Sequence, residues 1–443
     1  MNITDPRDII ARSPMSRLQI VAVILCILLN ALDGFDVLAI SFASPGIASD
    51  WGIDRAALGF VLSMELIGMA VGSVLIGNLA DRFGRRPIIL GCLVVMASGM
   101  YLAALAEGVV TLSIMRLFTG VGIGGMLAAI NAMVAEFSNV RRRHLAVALM
   151  AGGYPVGAII GGSIASMLLA HFDWRAVFLF GAVVTAIFLP LVWMWLPESV
   201  DFLTQKRSAG ALDKINGILK RMGHATVDRI PDIQPQETRG GIRELFSPGL
   251  IRITLLLIVA YFTHIMTFYY ILKWIPKIVV DMGFVASSAG GVLVWANVGG
   301  AMGSLVLSLL TQRFDVNRLV IGALVMAFVM VTVFGYAPAD LQQLAMFSAL
   351  AGFFTNSAVV GMYAIFARSF PTRVRAGGTG LVIGLGRGGA ALGPIVAGFL
   401  FASGQSLPMV SLLMAMGSLV AAAALLALGR RPAAQGAAAC AEA

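Results

Sequence analysis

The sequence predicts an all-α polytopic membrane protein, with twelve transmembrane helices in two pseudo-repeated six-helix bundles. Three observations predict it. The 443 residues are 59% hydrophobic and only 12% charged, with a mean hydropathy of +0.91; an ordinary soluble domain carries roughly 25% charge. Apolar stretches of about 18–25 residues, long enough to cross a bilayer as helices, recur along the whole chain. One long polar interval, residues 197–250, divides them six and six.

In order, the expected spans are 18–44, 56–79, 88–106, 110–136, 142–170, 174–196, 251–279, 288–311, 318–336, 341–367, 376–402 and 407–428. The domains follow from them: residues 1–196 form the first bundle, 197–250 a cytoplasmic central loop, and 251–428 the second bundle. Residues 429–443 form a low-complexity cytoplasmic tail expected to be disordered. Within the central loop, ALDKINGILKRMG (211–223) is expected to make a short amphipathic helix at the membrane surface. A duplication is suggested by GNLADRFGRRPII (77–89) and SLLTQRFDVNRLV (308–320), each placed after the second helix of its half, with Arg82-Phe83 aligned on Arg313-Phe314. Parallel six-helix repeats are one way to build a transporter. Two basic turns made alike by charge bias would look the same in this segment alone.

The formal net charge of +9 is explained by its distribution. With the N-terminus inside, the inner connections hold Arg82, Arg85, Arg86, Arg141 to Arg143, Arg313, Arg318, Arg373 and Arg375, among others. The outer ones hold Arg55, Arg175 and Lys277. That asymmetry places both termini in the cytoplasm, and makes the basic balance a topology signal, not a nucleic-acid footprint. Cys26, Cys92 and Cys440 form no spaced pair, so neither a disulfide framework nor a metal site is expected. The first apolar run is long and reads as a retained helix, not a cleaved signal. GVGIGG (120–125) lies inside a membrane helix and no Gly-Lys-Ser/Thr motif occurs, so no nucleotide loop, cofactor or enzyme constellation is expected.

The charges inside the spans carry the chemistry. NALDGFDVLAI (30–40) sets Asp33 and Asp36 three residues apart, hence on one helix face. Each acid costs at least roughly 2.5–3.5 kcal/mol at the bilayer centre, so such residues are functional by default. Two of them in low dielectric cannot both stay ionised cheaply, which suits the pair to carrying a proton. Arg116, in the fourth helix, needs an anionic partner: Asp33 or Asp36, Glu136, or a substrate carboxylate. Glu136 lies at the cytoplasmic end of the same helix, close to Arg141 to Arg143, and is expected in a gating ion pair. Arg387, in GLGRGGAALGP, is expected to bind a substrate carboxylate through two parallel hydrogen bonds. Glu65 and Lys273 are expensive if unpaired; they are expected to pair across the halves or to contact a polar substrate group. Tyr154, Phe268, Tyr269, Tyr270, Trp274 and Trp295 could stack on an aromatic ring, and Asn297 and Asn356 are candidate polar contacts. His264 is read as a packed, hydrogen-bonded histidine, not a proton relay.

GNLADRFGRRP (77–87) resembles the signature of the major facilitator superfamily, G-x-L-A-D-R-x-G-R-[RK], at the place where that family carries it. The resemblance implies the major facilitator fold, with Asp81 as a conformational latch whose electrostatics Arg82, Arg85 and Arg86 fit. Gln312 replaces the acid in the second copy, implying a weaker latch there. DGFD (33–36) resembles the D-G-[YF]-D element of the aromatic acid:proton symporters. RLFTGVGIGG (116–125), AEFSNVRRRHLAVALMAGGYPVGAIIGG (135–162), LPESVDFL (196–203) and FPTRVRAGGTGLVIGLGRGGAALGPIVAG (370–398) are similar to further segments of that group. The resemblance implies a proton-coupled symporter importing a hydroxybenzoate-like aromatic carboxylate by alternating access in a bacterial inner membrane; a monomer is the default expectation. It implies that Asp33 and Asp36 are needed for transport, that Arg116 is coupled to them, and that Arg387 and Arg375 occupy family positions. A proton symporter for a non-aromatic anion, such as muconate or a sugar acid, would show the same machinery. GYPVGAIIGG departs from the G-P-x-x-G-G pattern of drug:proton antiporters, which weighs against efflux. The implied partners are a small-molecule carboxylate, protons and the lipid bilayer.

Overall fold

The computed structural model describes residues 5–207, 210–231, 242–371 and 373–429. Among the described residues, twelve helices are long and apolar enough to cross a membrane. They are α1 (Arg17–Trp51), α2 (Arg55–Phe83), α3 (Arg85–Ala104), α4 (Val109–Phe137), α5 (Arg143–Leu168) and α6 (Arg175–Trp195), then α7 (Ile251–Asp281), α8 (Ala286–Leu310), α9 (Val316–Gly335), α10 (Leu341–Ser369), α11 (Arg375–Ala402) and α12 (Leu407–Gly429). All twelve expected spans are present. The largest departure is α1, which continues through Pro45 to Trp51 and stops at Gly52, whose φ of 58° is left-handed.

Two compact units divide the chain. The first holds α1, α3 to α6, most of α2 and the start of α8; the second holds α7, α9 to α12, most of α8 and the start of α2. Within the first, α1 packs on α4, α5 and α6, and α3 packs on α4 and α6. Within the second, α7 packs on α10, α11 and α12, and α9 packs on α10 and α12. Adding six to each helix number of the first set yields the second. The duplication, faint in sequence, is plain in the packing.

The interval expected as a loop contains helices Val200–Lys206 and Ala211–Met222 and a 3-10 turn at Ile242–Phe246. The Ala211–Met222 helix has the expected amphipathic pattern, but its apolar face is not laid on lipid. Ala211, Ile215, Ile218, Leu219 and Met222 are buried, and the helix packs on Val200–Lys206 and α1. Behind it, His224 Nε2 donates to Gln19 Oε1 at 3.0 Å, and Gln19 Nε2 donates to the Phe137 carbonyl at 2.9 Å. One glutamine thus ties the interval to the start of α1 and the end of α4. The expected disordered tail, beyond Gly429, lies outside the described residues.

Lipid supplies no hydrophobic drive between helices, so close contact of small residues takes its place. On α2, a Cβ added at Gly68 or Gly72 would lie 2.1 Å from the carbonyl oxygen of Leu117 or Val121. On α4, a Cβ at Gly120 or Gly124 would lie 2.1 Å from the Glu65 oxygen or 2.2 Å from the Met69 oxygen. The two backbones touch along four reciprocal glycines, and GVGIGG is half of that crossing.

Gly120→Val is therefore expected to destabilise the first unit by about 1–3 kcal/mol, whereas Gly91→Val, with nothing within 4 Å of the new atom, is expected to be neutral; thermal unfolding in detergent compares them. Burial holds the His224 imidazole below its ordinary value of 6.5, so the docked interval favours the neutral ring. The undocked chain binds the extra proton first, so docking weakens as pH falls below about 6.5. Amide protection over 211–224, taken relative to the intrinsic exchange rate at each pH, is expected to fall between about pH 7.5 and pH 5.5, and this dependence is expected to vanish in His224→Asn.

Candidate functional site

The first unit encloses a cluster of charges built on α1, α2 and α4. Asp33 and Asp36 are 2% and 0% exposed, one turn apart on α1. Asp33 lies within electrostatic reach of the Cys92 thiol on α3. Asp36 Oδ1 faces α6, where a Cβ added at Gly181 would stand 3.3 Å from it. The Asp36 carboxylate accepts no hydrogen bond from any described residue. The acid pair therefore projects into the interior of its own bundle.

Arg116 is fully buried, and its partner is Glu65. Arg116 Nη2 also donates to the Asp36 main-chain carbonyl at 2.9 Å, and Nη1 to Met100 Sδ at 2.8 Å. Its Cζ stands 5.3 Å from the centre of the Phe178 ring. Glu65, expected at the substrate or across the halves, meets Arg116 inside the first unit because the glycine crossing of α2 on α4 presses them together. Asp36 feels both Arg116 and Glu65 electrostatically. Two carboxylates share one guanidinium, and that guanidinium is already committed to Glu65.

A second network occupies the arginine-rich end of the same unit. Arg85 lies 3.1 Å from Asp81 and 3.2 Å from Glu136, and its Nη1 donates to the Ala80 carbonyl at 3.1 Å. Glu136 is thus joined to the 77–87 motif, while Arg141 to Arg143 are exposed. Arg82 stacks on Phe83 and ion-pairs with no described acid. Glu198, which the sequence did not single out, organises the turn. Its Oε1 accepts from the main-chain N–H groups of Arg85 at 3.0 Å, Arg86 at 3.4 Å and Ser199 at 2.8 Å. A carboxylate there satisfies orphan donors and the positive end of α3. Gly84 is obligatory beside it: its φ is 110°, and a Cβ would fall 2.3 Å from Glu198 Oε2. The available signal was an acid immediately before the Ser199 cap of the next helix.

In the second unit, Arg387 on α11 is half-buried and within electrostatic reach of the Tyr261 hydroxyl. That hydroxyl is hydrogen-bonded to the Tyr363 hydroxyl at 2.9 Å. The rings of Tyr261, Tyr363 and Phe366 stand 5.4–6.1 Å apart. Tyr261 and Tyr363 were missed because they lie about a hundred residues apart, on α7 and α10, with no local pattern joining them. Tyr269 packs on Phe268, with ring centres 5.3 Å apart. Lys273 and Asn297 are buried, Tyr154 is half-buried, Trp295 is 54% exposed, and Arg375 is exposed with its Nε 3.4 Å from the Phe370 carbonyl. Three side chains expected at the substrate are used in packing. The Tyr270 hydroxyl meets Ser411 Oγ at 2.7 Å, Trp274 Nε1 donates to the Pro394 carbonyl at 3.2 Å, and Asn356 Nδ2 donates to the Gly300 carbonyl at 2.9 Å and Ser304 Oγ at 2.8 Å. His264 has both ring nitrogens occupied, by Ser418 Oγ at 3.0 Å and the Thr355 carbonyl at 2.9 Å.

Residues 26–339 and 285–439 match the sequence model of the Major Facilitator Superfamily. A gallate transporter of Pseudomonas putida is 31% identical over 434 residues, covering 96% of this chain and 95% of the relative. A 4-hydroxybenzoate transporter of Acinetobacter baylyi is 33% identical over 414 residues, covering 92% and 90%. The crystal structure of a D-xylose–proton symporter superposes with a TM-score of 0.69 at 17% identity, covering 91% of this chain and 96% of that one.

Removing one partner of a buried ion pair strands the other, at a cost on the order of 3–5 kcal/mol. Arg116→Leu is expected to lower the thermal midpoint sharply, and Glu65→Met with Arg116→Leu to restore much of the loss. Equal midpoints for the single and double variants would contradict the pairing.

Proposed function

Because the chain belongs to the major facilitator superfamily, we propose that it is a proton-coupled symporter that imports a hydroxybenzoate-like aromatic carboxylate by alternating access. The supporting observation is the cluster of Asp36, Glu65 and Arg116. A guanidinium and two carboxylates, all fully buried, carry a formal excess of one negative charge. Glu65 holds the cation, so Asp36 is the acid that takes up and releases the proton, with Asp33 one turn away as the second acid. Loading a proton removes the excess charge and lowers the cost of shutting the site away from water.

Arg387 supplies the substrate's anion contact. A guanidinium and a carboxylate form two parallel charge-assisted hydrogen bonds, and the Tyr261–Tyr363 pair beside it offers ring faces and hydroxyls to a hydroxylated aromatic ring. Lys273, Tyr269, Trp295, Asn297 and Tyr154 are further candidate contacts. The Asp81–Arg85–Glu136 network acts as the latch, with Glu198 positioning its turn and Arg82 adding charge near it; Arg375, in the second unit, is a further candidate for the latch. The arginine distribution supports a bacterial inner-membrane protein with both termini in the cytoplasm, and a monomer is the working unit.

The test is uptake of labelled 4-hydroxybenzoate and gallate by cells expressing the chain, with and without a protonophore. Wild type is expected to accumulate at least one of them in a protonophore-sensitive way, and Asp36→Asn to lose accumulation against a gradient. Accumulation by Asp36→Asn equal to wild type would refute the role of the acid, and protonophore-stimulated retention would point to export.

A further inference from the structure

The ends of α2, α3 and α6 and the helices of the polar interval line a groove of about 750 Å³. Five cations reach it from four segments: Arg82 at the end of α2, Arg86 at the start of α3, Lys206 at the end of Val200–Lys206, and Lys214 and Arg221 on Ala211–Met222. Among the described residues, none of the five is within ion-pair distance of an acid. The carboxylate on the lining, Glu198, is spent on main-chain N–H groups. The Nε of Arg86 is buried without a hydrogen-bond partner.

Charge bias explains basic residues at this end of each helix, but not their convergence on one concavity. Like charges held together without a counter-ion repel, and an anion among them removes the repulsion. The walls indicate which anion. Arg86 stacks on Trp193 with its Cζ 5.1 Å from the ring centre. Trp193 is 65% exposed and Phe83 56% exposed, each on a membrane-spanning helix. Pro87, Leu90 and Ile218 supply apolar lining between them. A site cationic within and apolar at its membrane-side rim suits an amphiphile better than a soluble ion. Arginine pairs bidentately with phosphate, and exposed tryptophan gathers at the headgroup level of a bilayer.

We propose that this groove binds the headgroup of an anionic phospholipid, its phosphate among Arg86, Lys214 and Arg221 and its chains against Trp193 and Phe83. The lipid then bridges the membrane helices and the polar interval, and holds the Ala211–Met222 helix at the bilayer although its apolar face is buried on protein.

The test is native mass spectrometry of the full chain titrated with phosphatidylglycerol, phosphatidylcholine and inorganic phosphate. The groove variant is Lys206→Gln/Lys214→Gln/Arg221→Gln, all exposed positions. The charge-matched control, in the second unit, is Arg313→Gln/Arg318→Gln/Arg373→Gln, also exposed. Wild type and control are expected to prefer phosphatidylglycerol to phosphatidylcholine, and the groove variant to lose that preference, by about fivefold for each cation removed. Arg221→Gln alone, expected to lose about fivefold, makes the same comparison with minimal disturbance of the fold. Equal losses in groove and control variants would reduce the effect to diffuse surface charge and overturn the site. Inorganic phosphate displacing the lipid at equal concentration would assign the groove to a soluble anion and overturn the lipid.

Discussion

Arg116 and Glu65 are both fully buried in a bundle whose surroundings are lipid, and much of the first unit is arranged around that pairing. A guanidinium with no water needs an anion and acceptors for its remaining N–H groups. Glu65 supplies the anion, while the Asp36 carbonyl, the Met100 sulfur and the Phe178 ring take the rest. Four helices, α1, α2, α3 and α6, are thereby committed to one side chain of α4. The ion pair requires α2 and α4 to touch, and the four reciprocal glycines allow it. With the cation committed to Glu65, Asp36 is left as an acid without a hydrogen-bond donor among the described residues. A stable pair beside an unsatisfied acid is a suitable arrangement for binding and releasing a proton without dismantling the bundle.

The arginine-rich end of the unit solves a different problem with the same residue types. There the termini of α2, α3 and α4 present unsatisfied main-chain groups and like charges. Glu198 takes the N–H groups at the start of α3, and Arg85 joins Asp81 to Glu136. Gly84 exists because no side chain fits against Glu198 at that backbone angle. The helix carrying Asp81 is also the helix carrying Glu65. The buried pair and the terminal network are thereby joined through one element, α2.

The second unit repeats the packing of the first but not its charges. Its helices meet in the same order, and α8 and α10 are again in main-chain contact, where a Cβ at Gly299 would stand 1.9 Å from the Ala349 oxygen. In place of an acid cluster it holds Arg387, hydrogen-bonded tyrosines and a histidine with both nitrogens satisfied. The helix contacts repeat between the units while the polar groups differ, one unit holding an acid cluster and the other the cations Arg387 and Lys273 with an aromatic wall.

The sequence alone determined the twelve helices, their division, the membrane setting and the identity of the costly residues, because hydropathy and the penalty on intramembrane charge act locally along the chain. Asp33, Asp36, Arg116, Glu65 and Arg387 stand out in it for that reason. It did not determine who pairs with whom. Glu65 and Arg116 lie on different helices, as do Tyr261 and Tyr363, and Glu198 and Gly84 lie in different connections. The two short helices within the polar interval follow the same division: the pattern of 211–223 was legible, but the surface that covers its apolar face was not. Partners across helices are set by where backbones can approach, and in lipid that depends on which small residues end up facing each other, a matter that only the tertiary structure decided.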